Sequence, residues 1–179
     1  MTRDQHMTPE EIVNQYKEKF SQNIRETRIE RHITGVKKTE LVHIWIHLDR
    51  NVFKEAIQQL FQFDEDPHFA VTSGYDINES IDLIYHFSIY HGFRHKELSI
   101  NFKVTLPKSN PTIETITDLF PGALISEQEK QEMLGITVKD IPTDARVFIS
   151  DDFPQGVYPW RRDETGPRNH TKNLHEVQP

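Results

Sequence analysis

The sequence contains no cysteine among its 179 residues. That excludes thiolate nucleophiles, disulfides, the usual zinc sites and, above all, iron–sulfur ligation by this chain. Its 7 glycines are dispersed and form no glycine-rich phosphate loop, which argues against a nucleotide site. No apolar run approaches the roughly 20 residues needed to cross a bilayer. Residues 1–10 are polar and lack an apolar signal core. A soluble chain is expected, one that meets a membrane only through partners. Long runs of Lys or Arg are missing too. With 21 Lys and Arg against 28 Asp and Glu, the net charge is −7, the wrong balance for a nucleic-acid footprint.

What is present suffices for one domain, since 35% hydrophobic residues in a chain this long can bury a real core. Thr8-Pro9-Glu10-Glu11 supplies an N-cap hydroxyl, a proline at the first helical position and a capping-box glutamate. Ile12, Tyr16 and Phe20, with Val13 beside them, then form the apolar stripe of a first helix. Residues 24–33 read as an exposed strand that ends in a turn near Gly35. Residues 41–48 alternate, with Val42, Ile44 and Ile46 on one face and His43, Trp45 and His47 on the other. Asp49 is placed to cap a second helix carrying Phe53, Ala56, Ile57, Leu60 and Phe61 at helical spacing. Strands are expected at 69–72, 81–90 and 98–106, with turns at 76–78 and 92–96.

Further on, Ile113, Ile116, Leu119 and Phe120 suggest a third helix stopped by Pro121-Gly122. Ser126 and Glu129 make a second capping box, opening a short helix that Gly135 would close. The whole reads as α+β: one domain over residues 1–138 with a hairpin-built mixed sheet flanked by helices. Residues 139–179, rich in Pro, Gly and charge with a short apolar run at Val147, Phe148 and Ile149, read as an extended C-terminal arm. Free in water it would expose Phe148, Phe153, Tyr158 and Trp160, so it must bury against a partner or fold back on its own domain. The pattern leaves both open.

The 10 histidines are the obvious ligand candidates. His43 and His47 share a strand face but lie about 13 Å apart along it, too far for one ion without a strong bend. His86, His91 and His95 sit on a strand and its turn without a ligand spacing. Sheet-face histidines are the simpler reading, and a stand-alone His-dependent metalloenzyme is the alternative from another class. Asp64, Glu65, Asp66 and Asp151, Asp152 read as solvated turns and helix ends. Ser73-Gly74 and Ser150-Asp151 lack the strand–turn–helix frame of a nucleophile elbow. Trp160-Arg161-Arg162-Asp163 is either an interface anchor, because Arg pairs bidentately and stacks, or a solvated charge cluster.

The final third resembles the 30 kDa subunit family of respiratory NADH dehydrogenase. Thr117-Asp118-Leu119-Phe120-Pro121-Gly122-Ala123 is similar to the family's TDLFPGANW, Glu127 and Glu129 to its E-R-E, and Met133-Leu134-Gly135-Ile136 to the string that follows. Pro142 and Arg146 fit its H-P-D-L-R-R segment, and Gly156, Pro159, Arg161, Arg162 and Asp163 its G-H-P-L-R-K-D ending. The departures are Leu124-Ile125 for Asn-Trp, Gln128 for the central arginine, Gln131-Glu132 for an aromatic–acid pair, Ala145 for an arginine, and Ile141 and Tyr158 before the two prolines. They bring the chain nearer the matching subunit of membrane-bound hydrogenases and sulfane sulfur reductases. The resemblance implies a cofactor-free, cytoplasmic-side peripheral subunit of a ferredoxin-dependent, ion-translocating complex. It implies docking on the large catalytic subunit and on iron–sulfur subunits, which would carry the 4Fe–4S clusters and any nickel–iron site. By the same analogy Glu127, Glu129, Arg146, Tyr158, Trp160, Arg161, Arg162 and Asp163 would form the subunit interface.

Overall fold

Residues 6–93, 96–143 and 145–170 are described by the structure, a computed structural model. The capping box starts the chain's first helix, α1 (Pro9–Phe20): the Glu11 amide donates to the Thr8 hydroxyl, and the Thr8 amide donates back to the Glu11 carboxylate at 2.7 Å. Its stripe of Ile12, Val13, Tyr16 and Phe20 is buried. Burial of such side chains contributes on the order of 1.5–3 kcal/mol each.

β1 (Ile24–Thr34) and β2 (Thr39–Leu48) pair across the turn at Gly35, and β3 (His68–Ile77) and β4 (Ser80–Ile89) across Asn78. With β5 (Leu98–Pro107) they form a sheet of order β1-β2-β5-β4-β3. β2 and β5 run parallel and the other neighbours antiparallel, so the sheet is mixed as expected. One face carries Ile44, Ile46, Leu83, Tyr85, Phe87, Phe102 and Val104, all buried. α1 lies over this face, where the Tyr16 ring meets Phe102 edge-on at 5.5 Å and its hydroxyl donates to Ala56 O at 2.9 Å. Alternation in the strands thus decides which face becomes core.

The second helix differs from the expectation. A short 3-10 helix (Arg50–Val52), α2 (Phe53–Gln58) and α3 (Leu60–Phe63) share the stretch. Asp49 makes no side-chain cap and instead holds Arg25 at 2.7 Å. Phe61 is not core: it is 38% exposed and stacks on Phe120 at 5.3 Å.

The expected third helix at 113–120 is absent. Residues 112–114 form β6 (Thr112–Glu114), paired in parallel with β7 (Thr137–Lys139). The apolar spacing there is helical only by coincidence, because β-branched Thr112, Ile113, Thr115, Ile116 and Thr117 favour the extended backbone. Helix α4 (Ala123–Leu134) begins directly after Pro121-Gly122, where the sequence suggests a stop. Ser126 is therefore inside the helix, where its hydroxyl accepts from Thr72 N at 2.9 Å, covering a donor on the edge strand β3. Gly135 closes α4 at φ +63 as the sequence indicates. The Val147–Phe148–Ile149 run forms a bend.

Candidate subunit interface

The resemblance directs attention to α4 and the segment that follows it. α4 has no clean apolar stripe. The residues it buries include Glu127, Gln128 and Lys130 beside Ala123 and Leu134. Each buried polar group is satisfied, as burial requires. Glu127 accepts from Thr115 Oγ1 at 2.5 Å and from Ile116 N at 3.0 Å. Burial pushes its carboxyl up to about 7, against the Thr115 hydroxyl and Ile116 amide, which favour the charge. Gln128 Nε2 donates to Thr143 O and Ala145 O. Lys130 pairs with Glu129 and lies 4.9 Å from the centre of the Trp160 ring.

Residues 145–165 fold back on this helix, the second of the two possibilities the sequence left open. Glu132 accepts from three successive amides, Val147 N at 2.7 Å, Phe148 N at 2.9 Å and Ile149 N at 2.7 Å. At the C-terminus of α4, Trp160 N donates to Met133 O at 2.9 Å and Arg161 Nε to Leu134 O at 2.6 Å. These are the carbonyls a helix end leaves unpaired, and a guanidinium there also complements the helix dipole. The Tyr158 ring lies on Gly135 so closely that an added Cβ would sit 2.4 Å from it.

A charged staple completes the anchorage. Lys108, at the end of β5, bridges Asp76 Oδ1 at 2.7 Å and Asp163 Oδ2 at 2.5 Å, while Arg162 N donates to Asp76 Oδ2 at 2.7 Å. Burial opposes the charge on Asp163, but the Lys108 ammonium and the Thr165 hydroxyl and amide hold its carboxyl down at about 2. Lys108 is raised in turn: burial works against its charge and the two carboxylates outweigh it.

A family model for the 30 kDa subunit of respiratory-chain NADH dehydrogenase matches residues 46–170. The chain belongs to this family. It is 30% identical over 131 residues to the membrane-bound hydrogenase subunit beta of Pyrococcus furiosus, covering 73% of this chain and 75% of that one. It is 28% identical over 169 residues to a subunit of the F(420)H(2) dehydrogenase of Methanosarcina mazei, covering 91% and 96%. A chain of the membrane-bound sulfane sulfur reductase, an archaeal respiratory membrane complex, shares the fold with a TM-score of 0.71 at 19% identity over 95% of both chains. A 30 kDa family chain is a subunit of a multi-subunit respiratory complex, so other subunits are its partners. No helix among the described residues is long and apolar enough to cross a membrane.

The family's motif residues divide by exposure. Glu127 and Arg161 are turned inward, and Tyr158 and Asp163 are half-buried in the anchorage. Trp160, Arg146 and Arg162 are exposed, with Glu129 half-buried beside them. Ile125, 52% exposed on α4 where the family carries tryptophan, and the exposed Val147 and Phe148 beside Arg146 join this surface without being among the motif residues. The departure from the family's tryptophan was the available signal for Ile125. The roles of Lys108, Asp76 and Glu132 depend on tertiary contacts and left no local signal.

The opposite face of the sheet carries His32, His43, His47 and His86. His47 Nε2 lies 3.1 Å from Thr105 Oγ1, and burial lowers its pKa, helped by Lys103 and Arg25. His43 meets the His32 ring edge-on at 5.9 Å. Ser73 Oγ is 2.9 Å from His86 Nε2, and His86 Nδ1 is 2.7 Å from Asn101 Oδ1. The connectivity is that of a nucleophile, base and orienter. Ser73 sits mid-strand, however, and strand amides lie in the sheet plane, so they cannot converge beside Oγ as oxyanion donors. Asn101 Nδ2 instead donates to Ile44 O at 3.1 Å, tying β5 to β2. Among the described residues no three His, Asp or Glu side chains could hold a metal ion together. His95 lies outside the described residues.

Proposed function

We propose that the chain is a cofactor-free structural subunit on the cytoplasmic side of a membrane-bound, ferredoxin-dependent hydrogenase-like complex. It holds the large catalytic subunit and the iron–sulfur subunits in register and performs no chemistry itself. One observation carries this reading. The segment after α4 is anchored through Glu132, Arg161 and Asp163, while Trp160, Arg162, Arg146 and Phe148 point outward. An aromatic with flanking guanidinium groups on a pre-shaped support is the composition of an interface hot spot. Because the segment is already ordered, docking need not include its folding cost. The absence of cysteine supports leaving all clusters to the partners.

The hydrogenase branch is favoured by the 30% identity to the hydrogenase subunit and by Leu124-Ile125 in place of Asn-Trp. The same supporting role in a sulfane sulfur reductase, or in an NADH- or other donor–quinone oxidoreductase, differs only in the partners. The test is to isolate the tagged chain from its native membranes. Recovery with a large subunit holding nickel and iron supports the reading. Recovery with a nickel-free large subunit moves the role to a relative, and recovery of the chain alone contradicts it.

A further inference from the structure

Glu127 is fully buried in α4, and among the described residues no cation pairs with it. Its oxygens meet a loop that offers two hydroxyls in series. Thr115 Oγ1 stands 2.5 Å from Glu127 Oε2 and 2.9 Å from Thr117 Oγ1, and Thr117 N donates to Thr115 Oγ1 at 3.1 Å. Two hydrogen arrangements fit this geometry. With Glu127 ionised, Thr115 donates to the carboxylate and accepts from the Thr117 hydroxyl and amide. With Glu127 neutral, its Oε2–H donates to Thr115, Thr115 donates to Thr117, and the Thr117 hydrogen turns outward. Thr115 donates once and accepts twice in both, so neither state leaves it unsatisfied. Ile116 N stays on Oε1 throughout.

We propose that Glu127 is a reversible proton site whose state is carried by Thr115 and Thr117 to the surface of the 117–122 loop. The proton leaves Oε2 for Thr115, the Thr115 hydrogen passes to Thr117, and the Thr117 hydrogen passes to water. One O–H bond breaks and one forms at each step, and a single proton is released. Thr117, 8% exposed, is the outlet. The titratable and charged groups facing the site are Tyr85 from β4, Lys54 from α2 and Asp118 from the loop. Tyr85 stays protonated, since burial raises its phenol well up and Glu127 raises it further. Lys54 and Asp118 pair with each other at 2.8 Å and largely cancel. Burial places the titration of Glu127 near neutrality, where a proton site can respond. The loop that begins the family motif would thus present a donor or an acceptor at Thr117 according to pH. This holds whichever complex the chain joins.

The experiment is an NMR pH titration of the full-length labelled chain, following the Glu127 carboxyl carbon and the Ile116 and Thr117 amides. The carboxyl should titrate near neutrality, apart from the exposed glutamates, and the Thr117 amide should share its midpoint. Thr115→Val should cut the Thr117 response while the carboxyl still titrates, and Glu127→Gln should make both amides independent of pH. A carboxyl that titrates in the ordinary range overturns the proposal, as does a wild-type Thr117 amide that ignores the carboxyl. The wild-type titration alone decides the matter if a variant fails to fold.

Discussion

Arg161→Ala perturbs the anchorage at its most loaded point. The side chain is 8% exposed, caps Leu134 O at 2.6 Å, reaches Asp163 at 3.5 Å and covers the Tyr158 ring at 5.8 Å. A hydrogen bond from a charged donor contributes about 1.5–3 kcal/mol net, and a buried acceptor left without a partner costs about 1–3 kcal/mol. Part of these overlap, and water can enter once the side chain is gone. An overall loss of about 3 kcal/mol follows. With a urea dependence of about 1–3 kcal/mol per molar, the unfolding midpoint should fall by roughly 1–3 M. Arg161→Lys keeps the charge at the helix end but loses the fork and the stacking, so it should fall between the two. If the arm detaches before the sheet unfolds, the loss appears instead as faster proteolysis after Lys139 and Arg146. An unchanged midpoint together with unchanged proteolysis would refute the capping argument.

Gly135→Ala should destabilise the fold by about 2 kcal/mol or more in the same urea assay, since it combines a left-handed φ of +63 with a Cβ driven into Tyr158. Glu132→Ala frees the Val147, Phe148 and Ile149 amides and should speed hydrogen exchange at those positions, leaving the β4 and β5 amides unchanged. Glu127 adds a pH dependence with a definite sign. Its carboxyl binds its proton more tightly in the folded chain, with a pKa of about 7 against an ordinary 4.5, so its contribution to stability is full below the ordinary value and is lost as pH rises through the folded one. That amounts to about 3 kcal/mol across the window. Unfolding of the wild type against Glu127→Gln should show the extra slope in the wild type only.

Before Pro107 most elements were legible because their signals are local, the broken second helix and its Asp49 excepted. The Thr8 capping box, the alternation of Val42 through Leu48 and the turn at Gly35 each determine their own element. Beyond Pro107 the signals mislead. Ile113, Ile116, Leu119 and Phe120 fall at helical spacing, but residues 112–114 are held extended by pairing with a strand some twenty-five positions later. α4 was hard to place because its buried face is built from Glu127, Gln128 and Lys130, so hydrophobic periodicity had little to detect. The family motif did locate the right region. It could not tell which residues point out, because Arg161 and Asp163 differ from Arg162 only in contacts made with Leu134 and Lys108, distant in sequence.

Deleting the arm would test docking poorly, since it also uncovers Leu134 and the end of α4. The sharper measurement compares wild type with a Trp160→Ala, Arg162→Glu double variant. Both residues are exposed; their backbone amides, which the variant keeps, serve the anchorage, and the side-chain contact it removes is that of the Trp160 ring with Lys130. Each form is tagged and expressed in place of the native copy, and the amount of large subunit recovered from solubilised membranes is measured. The expected result is a variant with nearly wild-type urea stability that recovers far less large subunit. Equal recovery from a folded variant would contradict the claim that this side of the chain docks the complex.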